Sequence, residues 1–243
     1  MRVGVYVDGY NLYYGGRTSC GRSMAGWRWL DVRALAETLV NERTDWSPAQ
    51  VMRVIYCTAR VDATESPSSY ADQDVYFKAL ATVGSVDHIE FGSYVARVKS
   101  APLAVKQPNG RPRLVTADWP VMIQDRTGAP VTDARFMVSV AHREEKGSDV
   151  NVASHLLLDV LRGVVQAALI ISNDSDLRFP IEQAREHVPI GLVNPTPGQT
   201  AGALRASGAV GAGRHFWRKL SARDFVDHQL PNPAGGYAMP KGW

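Results

Sequence analysis

Val164-Val165-Gln166-Ala167-Ala168-Leu169-Ile170-Ile171 runs directly into Ser172-Asn173-Asp174-Ser175-Asp176. An apolar run of that length with a single polar member reads as a strand buried on both faces, the kind a parallel sheet carries between two helix layers. The polar segment that ends it holds two carboxylates, and in parallel sheets ligands gather outside the carboxyl ends of the strands. The remaining question is whether other buried strands in this chain also end on acids.

Residues 3–7, Val-Gly-Val-Tyr-Val, do so: they form a short buried strand closed by Asp8-Gly9. Helical spacing follows over 30–40, then a β-branched run over 51–61, helical spacing again over 70–83, and a third strand over 88–95. The order β-α-β-α-β implies a parallel sheet with helices on its faces. Residues 97–133 break the rhythm with Pro102, Pro108, Pro112, Pro120 and Pro130, and with turn pairs at Asn109-Gly110 and Thr127-Gly128. Short extended pieces at 103–105, 113–115 and 121–124 predict an inserted β-rich arm within one domain of residues 1–230. Beyond it, a strand is expected over 136–141. A helix capped by Ser148 is expected over 149–162, closed by Gly163. The strand 164–171 follows, then a helix with Pro180 in its first turn, a strand over 190–193, helical turns over 201–207, and a last helix opened by a Ser221–Asp224 capping box. Residues 231–243 are rich in Pro and Gly and read as a loosely held tail.

The chain has 243 residues and a net charge of +3, a balance compatible with a polyanionic partner without specifying one. Two cysteines, Cys20 and Cys57, exclude a disulfide framework and a thiolate metal site. The opening apolar run is too short for a secretory signal, and no run reaches the length of a membrane span, so a cytoplasmic protein is expected.

Asp8, Asp174 and Asp176 follow strands, and Glu145-Lys146-Gly147-Ser148-Asp149 opens a helix just before the second of them. Each has an ordinary explanation: Asp8-Gly9 as a turn, Asp174 and Asp176 as helix caps, Asp149 as a first-turn acid favoured by the helix dipole. Taken together they place several carboxylates at one sheet edge. Such a cluster repels itself unless a cation neutralises it, and oxygen-only ligands favour Mg²⁺ or Mn²⁺ over zinc.

Three segments then resemble a known family. Val5-Tyr6-Val7-Asp8-Gly9-Tyr10-Asn11-Leu12, Glu145-Lys146-Gly147-Ser148-Asp149-Val150 and Ile170-Ile171-Ser172-Asn173-Asp174-Ser175-Asp176-Leu177 resemble the NYN domain, in its LabA-like branch, within the PIN-like nuclease superfamily. They occur in the family's order and span residues 3 to about 194. The resemblance implies an α/β, PIN-like parallel sheet and Mg²⁺- or Mn²⁺-dependent hydrolysis of RNA to 5′-phosphate and 3′-hydroxyl ends. It carries over Asp8, Asp149 and Asp174 as metal-site acids, Asp176 as an auxiliary acid, and Asn11 as a holder of the Asp8 loop or of a substrate phosphate. Ser148 stands where the family often has an apolar residue, Asn173 where glycine is common, and the insert is longer than a minimal member needs.

RNA contacts are expected from two basic stretches. Arg97, Lys99, Lys106, Arg111 and Arg113 are uninterrupted by acids. Arg205, Arg214, Arg218, Lys219 and Arg223 are interleaved with His215, Phe216 and Trp217. Solvated charges over a core Phe216-Trp217 are the plainer alternative. Lys146 is a further phosphate candidate, set against a simple solvated lysine beside Glu145. His142, His155 and His187 show no coupled spacing and read as structural. The rival from another class is a PIN-like module that holds RNA or protein without cutting. A haloacid-dehalogenase-type phosphohydrolase needs an acid two residues after the first, where this chain has Tyr10, and no P-loop motif occurs.

Overall fold

In strand β1 (Arg2–Asp8) every side chain from Val3 to Asp8 is buried. Val3, Val5 and Val7 enter one core, and Tyr6 the opposite one, as the two-residue period of a strand requires. A computed structural model describes residues 1–21, 23–115, 123–205 and 208–243. It contains two units, Met1–Tyr94 with Glu145–Trp243, and Val95–Glu144.

In the first unit, helix α1 (Gly9–Cys20) follows β1 without a loop. Helix propensity argues against it, because glycine costs up to about 1 kcal/mol relative to alanine in a helix interior. The glycines are there for close approach. A Cβ at Gly9 would come within 2.6 Å of the Tyr56 ring, and one at Gly15 within 2.3 Å of the Pro195 carbonyl oxygen. Asp8 starts this helix as its N-cap, and Asp31 does the same for α2 (Val32–Asn41). Then come β2 (Gln50–Ala59), α3 (Pro67–Thr82, its proline in the first turn) and β3 (His88–Pro102). After the second unit the chain resumes with α4 (Ser148–Leu161), β7 (Ala167–Ile171), α5 (Arg178–Arg185), β8 (Ile190–Asn194), β9 (Phe216–Lys219) and α6 (Ala222–Asp227).

Several boundaries differ from expectation for local reasons. β7 begins only at Ala167, because Val164 is exposed and the Gln166 side chain turns back to accept the Arg2 N–H. Ser148 is the first residue of α4 rather than its cap; Gly147, at φ 98°, precedes it. Helical turns over 201–207 reduce to a 3₁₀ turn at Gly202–Leu204, with 206 and 207 outside the described residues. The capping box at Ser221 is present.

The seven-stranded sheet has the order β6-β3-β2-β1-β7-β8-β9, where β6 is Met137–Lys146. From β3 to β9 the neighbours pair parallel. The sheet as a whole is mixed, not wholly parallel as expected. β6 follows β3 with no intervening helix among the described residues, and a parallel return would require a crossover. One face of the sheet packs on α1, α2, α3 and α6 through Leu12, Leu35, Leu39, Leu80 and Phe225; the other packs on α4 and α5 through Val152, Leu156 and Ile181.

Residues 231–243 carry defined contacts rather than forming a loose tail. Pro231 O accepts from Trp29 Nε1 at 3.0 Å, Ala234 is fully buried, and the Trp243 ring lies 5.5 Å from that of Tyr76. Composition predicts looseness, but a terminal tryptophan has enough apolar surface to dock.

In the second unit, β4 (Ala104–Lys106) and β5 (Pro112–Leu114) form an antiparallel hairpin around Asn109-Gly110, with Gly110 at φ 81°. Asp125 organises the Thr127-Gly128 turn by accepting from the N–H groups of Thr127 and Ala129. The extended piece expected at 121–124 lies partly outside the described residues, as does Pro120.

Candidate active site

The strand order reverses direction at β1: β2 and β3 extend to one side, β7, β8 and β9 to the other. A crevice outside the carboxyl ends at such a switch point is where open α/β sheets hold ligands. Val7 is level with Ile171, so Asp8, the last residue of β1, stands beside Ser172, the first residue past β7.

Asp8 is buried, and both its oxygens are engaged. Oδ1 accepts from the Asn11 N–H at 2.9 Å and Oδ2 from the Ser172 hydroxyl at 3.0 Å. The same Ser172 oxygen accepts from the Asp174 N–H at 3.1 Å, so one hydroxyl ties the two acidic loops together. A second tie runs from the Asn173 N–H to Asn11 Oδ1 at 3.1 Å. Asp174 Oδ1 in turn accepts from the Asp176 N–H at 3.0 Å. Burial pushes the Asp8 carboxyl up from 3.8 to about 6; the hydrogen bonds from Asn11 and Ser172 pull it down, and the charges of Asp174 and Glu145 push it up.

Glu145 is the acid that sequence reasoning did not single out. Its Oε1 accepts from the Ser148 N–H at 3.1 Å and from the Ser148 hydroxyl at 2.7 Å. The end of β6 that carries it fits against β3 because residue 92 is glycine, where a Cβ would stand 2.4 Å from the Lys146 carbonyl oxygen. Asp149 occupies the first turn of α4, half-buried. Asp176 lies exposed on a 3₁₀ turn. Asp8 and Asp174 are thus brought together with Glu145. Among the described residues, no three of these carboxylates bring oxygens within 4.8 Å of one another; His88, Glu90 and His155 do meet that spacing.

Beside Asp8 opens a cavity of about 400 Å³, whose wall includes Gly9, Tyr10, Tyr14, Tyr56, Tyr94 and Trp243. Tyr10 lies 4.7 Å from Tyr14 and 6.3 Å from Tyr94, centroid to centroid, and Arg17 sits over the Tyr14 ring at 5.6 Å. Flat aromatic faces with a guanidinium suit a planar ring bearing negative charge.

The basic residues divide. Arg97 and Lys99 meet Glu144 at 2.7 and 3.4 Å, an acid that strand pairing supplies from outside the stretch. Lys106, Arg111 and Arg113 lie exposed on or beside the β4–β5 hairpin. Arg218 is held by Glu42 and Asp224, Lys219 donates to Pro197 O, Arg205 to Thr200 O, and Arg223 pairs with Asp227. Arg214 adopts φ 56° and reaches Asp45 O at 3.5 Å. His215 is buried and accepts from the Ile190 N–H, while Trp217 is half exposed and Phe216 is core. The stretch 214–219 is therefore spent largely on contacts within the fold; of the plainer alternative, solvated charges over a core Phe216-Trp217, only the buried Phe216 matches. His155, read as structural, meets Glu90 Oε2 at 3.1 Å.

No family model matches this chain. A curated relative, 6-hydroxy-3-succinoylpyridine 3-monooxygenase HspA of Pseudomonas putida, is 29% identical over 221 residues, 84% of this chain. The chain spans 62% of that protein's length. A solved structure of a protein of unknown function from Vibrio parahaemolyticus shares 14% identity with a TM-score of 0.44, covering 89% of this chain and 91% of that one. No helix among the described residues is long and apolar enough to cross a membrane.

Proposed function

We propose that this chain is a PIN-like nuclease that hydrolyses RNA phosphodiester bonds with Mg²⁺ or Mn²⁺ at the Asp8 site. The observation that supports the reading is the buried Asp8 carboxylate, fixed at the switch point by Asn11 and Ser172 and facing the charges of Asp174 and Glu145. An acid whose ionised form is disfavoured by burial and by nearby negative charge is a place where a cation is gained at low cost. The donors are all oxygen, which suits Mg²⁺ or Mn²⁺, and Mg²⁺ is commonly held by only one or two carboxylates. Asp8 and Asp174 would hold it, with Glu145, Asp149 and Asp176 as the surrounding acids. When bound, such an ion polarises the phosphate and lowers the pKa of attacking water. The chain's own part is to orient Asp8, to tie both acidic loops through Ser172 and Asn11, and to seat a base against Tyr10 and Tyr14.

The test is cleavage of single-stranded RNA with Mn²⁺ or Mg²⁺ by wild type, Asp8→Asn and Asp174→Asn, with product ends mapped. Metal-dependent cleavage leaving 5′-phosphates, lost in both variants, is expected. RNA binding without cleavage would replace this reading with that of a non-catalytic binding module.

One observation favours a second reading. The tyrosine-lined cavity would accept a small heteroaromatic as readily as a base, and the Pseudomonas relative is named for oxygenating 6-hydroxy-3-succinoylpyridine. Hydroxylation of that compound with a supplied electron donor, in a preparation that leaves RNA intact, would decide for it.

A further inference from the structure

His88, Glu90 and His155 play no part in the site above. His88 and Glu90 are two apart on β3, so their side chains project to the same face. α4 brings His155 onto them from a distant part of the chain. His88 Nε2 lies 2.9 Å and His155 Nε2 3.1 Å from one and the same oxygen, Glu90 Oε2. One ligating atom from each of the three residues falls within 4.8 Å of the other two.

Those separations have a chemical meaning. Donors bound to one ion at about 2.0–2.2 Å stand roughly 3–3.5 Å apart, depending on the angle between the bonds. Both imidazole nitrogens therefore stand from the carboxylate oxygen at nearly the spacing that a first-row divalent metal imposes, and the two nitrogens lie within 4.8 Å of each other. We propose that His88, Glu90 and His155 bind a divalent transition metal, with Zn²⁺ as the representative ion. Two imidazoles exclude Mg²⁺ and Ca²⁺ as the preferred occupants and select the Zn²⁺, Ni²⁺ and Co²⁺ class. This separates the site chemically from the all-oxygen acids around Asp8, so neither proposal depends on the other.

The surroundings fit an ion that exchanges with solvent. The side chains of His88, Glu90 and His155 are 48%, 37% and 22% exposed, so all three are within reach of solvent. Beside them opens a cavity of about 620 Å³, lined by His88, His155, Met52, Arg53 and Val165 among others. Three protein ligands leave at least one coordination position for water or a small ligand, the pattern of an open rather than a closed metal site. The competing arrangement, in which both imidazoles simply donate to Glu90, uses the same atoms. It predicts no stoichiometric metal binding, and that is where the two part.

The experiment uses the untagged 243-residue chain. Co²⁺ is titrated in with visible absorption as the readout, followed by displacement with Zn²⁺ and, separately, with excess Mg²⁺. Wild type should take up one equivalent of Co²⁺ with ligand-field bands that Zn²⁺ removes and Mg²⁺ leaves in place. Asp8→Asn should keep those bands. His155→Ala and His88→Ala should each weaken binding by roughly tenfold or more, since even outer-shell changes cost that much at a metal site. His88 is half exposed, so its removal leaves the fold intact and keeps the test valid if His155→Ala folds poorly. Absence of a one-equivalent signal in wild type, or an unchanged affinity in His88→Ala, overturns the proposal.

Discussion

Replacing Asp8 by asparagine should make the metal-free protein more stable at pH 8 and leave it little changed near pH 4. Burial raises the Asp8 carboxyl from 3.8 to about 6 in the folded chain. For an acid raised in this way, the neutral form suits the fold and the charged form costs stability. The contribution is fully present below the unfolded value of 3.8 and is lost as pH rises through 6. At about 1.4 kcal/mol per pH unit, the ionised carboxylate costs on the order of 3 kcal/mol at pH 8. Asparagine removes that charge and keeps an oxygen to cap α1 through the Asn11 N–H. It replaces the Ser172 hydrogen bond with a reversed one, for a loss of about 1 kcal/mol. The net gain is then about 2 kcal/mol at pH 8, a rise in melting temperature of roughly 5 °C for a chain of this size. Thermal melts of both proteins in chelator at pH 4.5 and pH 8 measure it. A difference that does not grow with pH, or a variant that melts lower at pH 8, would refute the account of Asp8 as a buried, destabilised carboxylate. Added Mn²⁺ should reverse the order by stabilising wild type alone, through mass action on the native state.

Gly15→Ala should destabilise despite adding a better helix former. The new Cβ meets the Pro195 carbonyl oxygen at 2.3 Å, and forcing α1 outward should cost about 1–3 kcal/mol, read as a lower urea midpoint with an unchanged slope. Arg111→Ala with Arg113→Ala should weaken RNA binding and flatten its salt dependence by up to about two counterions, while turnover at saturating RNA holds. An identical salt slope would leave both arginines as a solvated face.

The central strands were legible because burial on two faces leaves an apolar run that needs no tertiary information, and Asp8, Asp174 and Asp176 stood out because they follow such runs; β9, half-exposed and basic, carried no such signal. α1 was not, since Gly9, Gly15 and Gly16 depress every local helix signal and are explained only by Tyr56, Pro195 and Trp27 beyond the helix. Glu145 went unweighted beside Asp149 because only the fold shows which of the two charges acts on Asp8. His155 was set aside for want of a partner in sequence, and its partner stands 65 residues away. The local trace of that cluster was short: His88 and Glu90, separated by Ile89, on one face of a strand. Arg218 looked available because Glu42, which holds it, lies 176 residues distant.

The pairing of β1 with β7 also sets an order of assembly. β2 reaches β1 after a few dozen residues, whereas β7 begins at Ala167, nearly 160 residues past Asp8. At about 5–20 residues per second of synthesis, the second edge of β1 waits roughly ten to thirty seconds for its neighbour. During that interval a strand with an apolar centre, Val3 to Val7, offers unpaired N–H and C=O groups to any other extended chain, the hazard that folded proteins cover or charge. The nascent protein thus passes through a stage in which its first strand needs shelter from chaperone or ribosome. A chain truncated before Ala167 would keep that edge open for good.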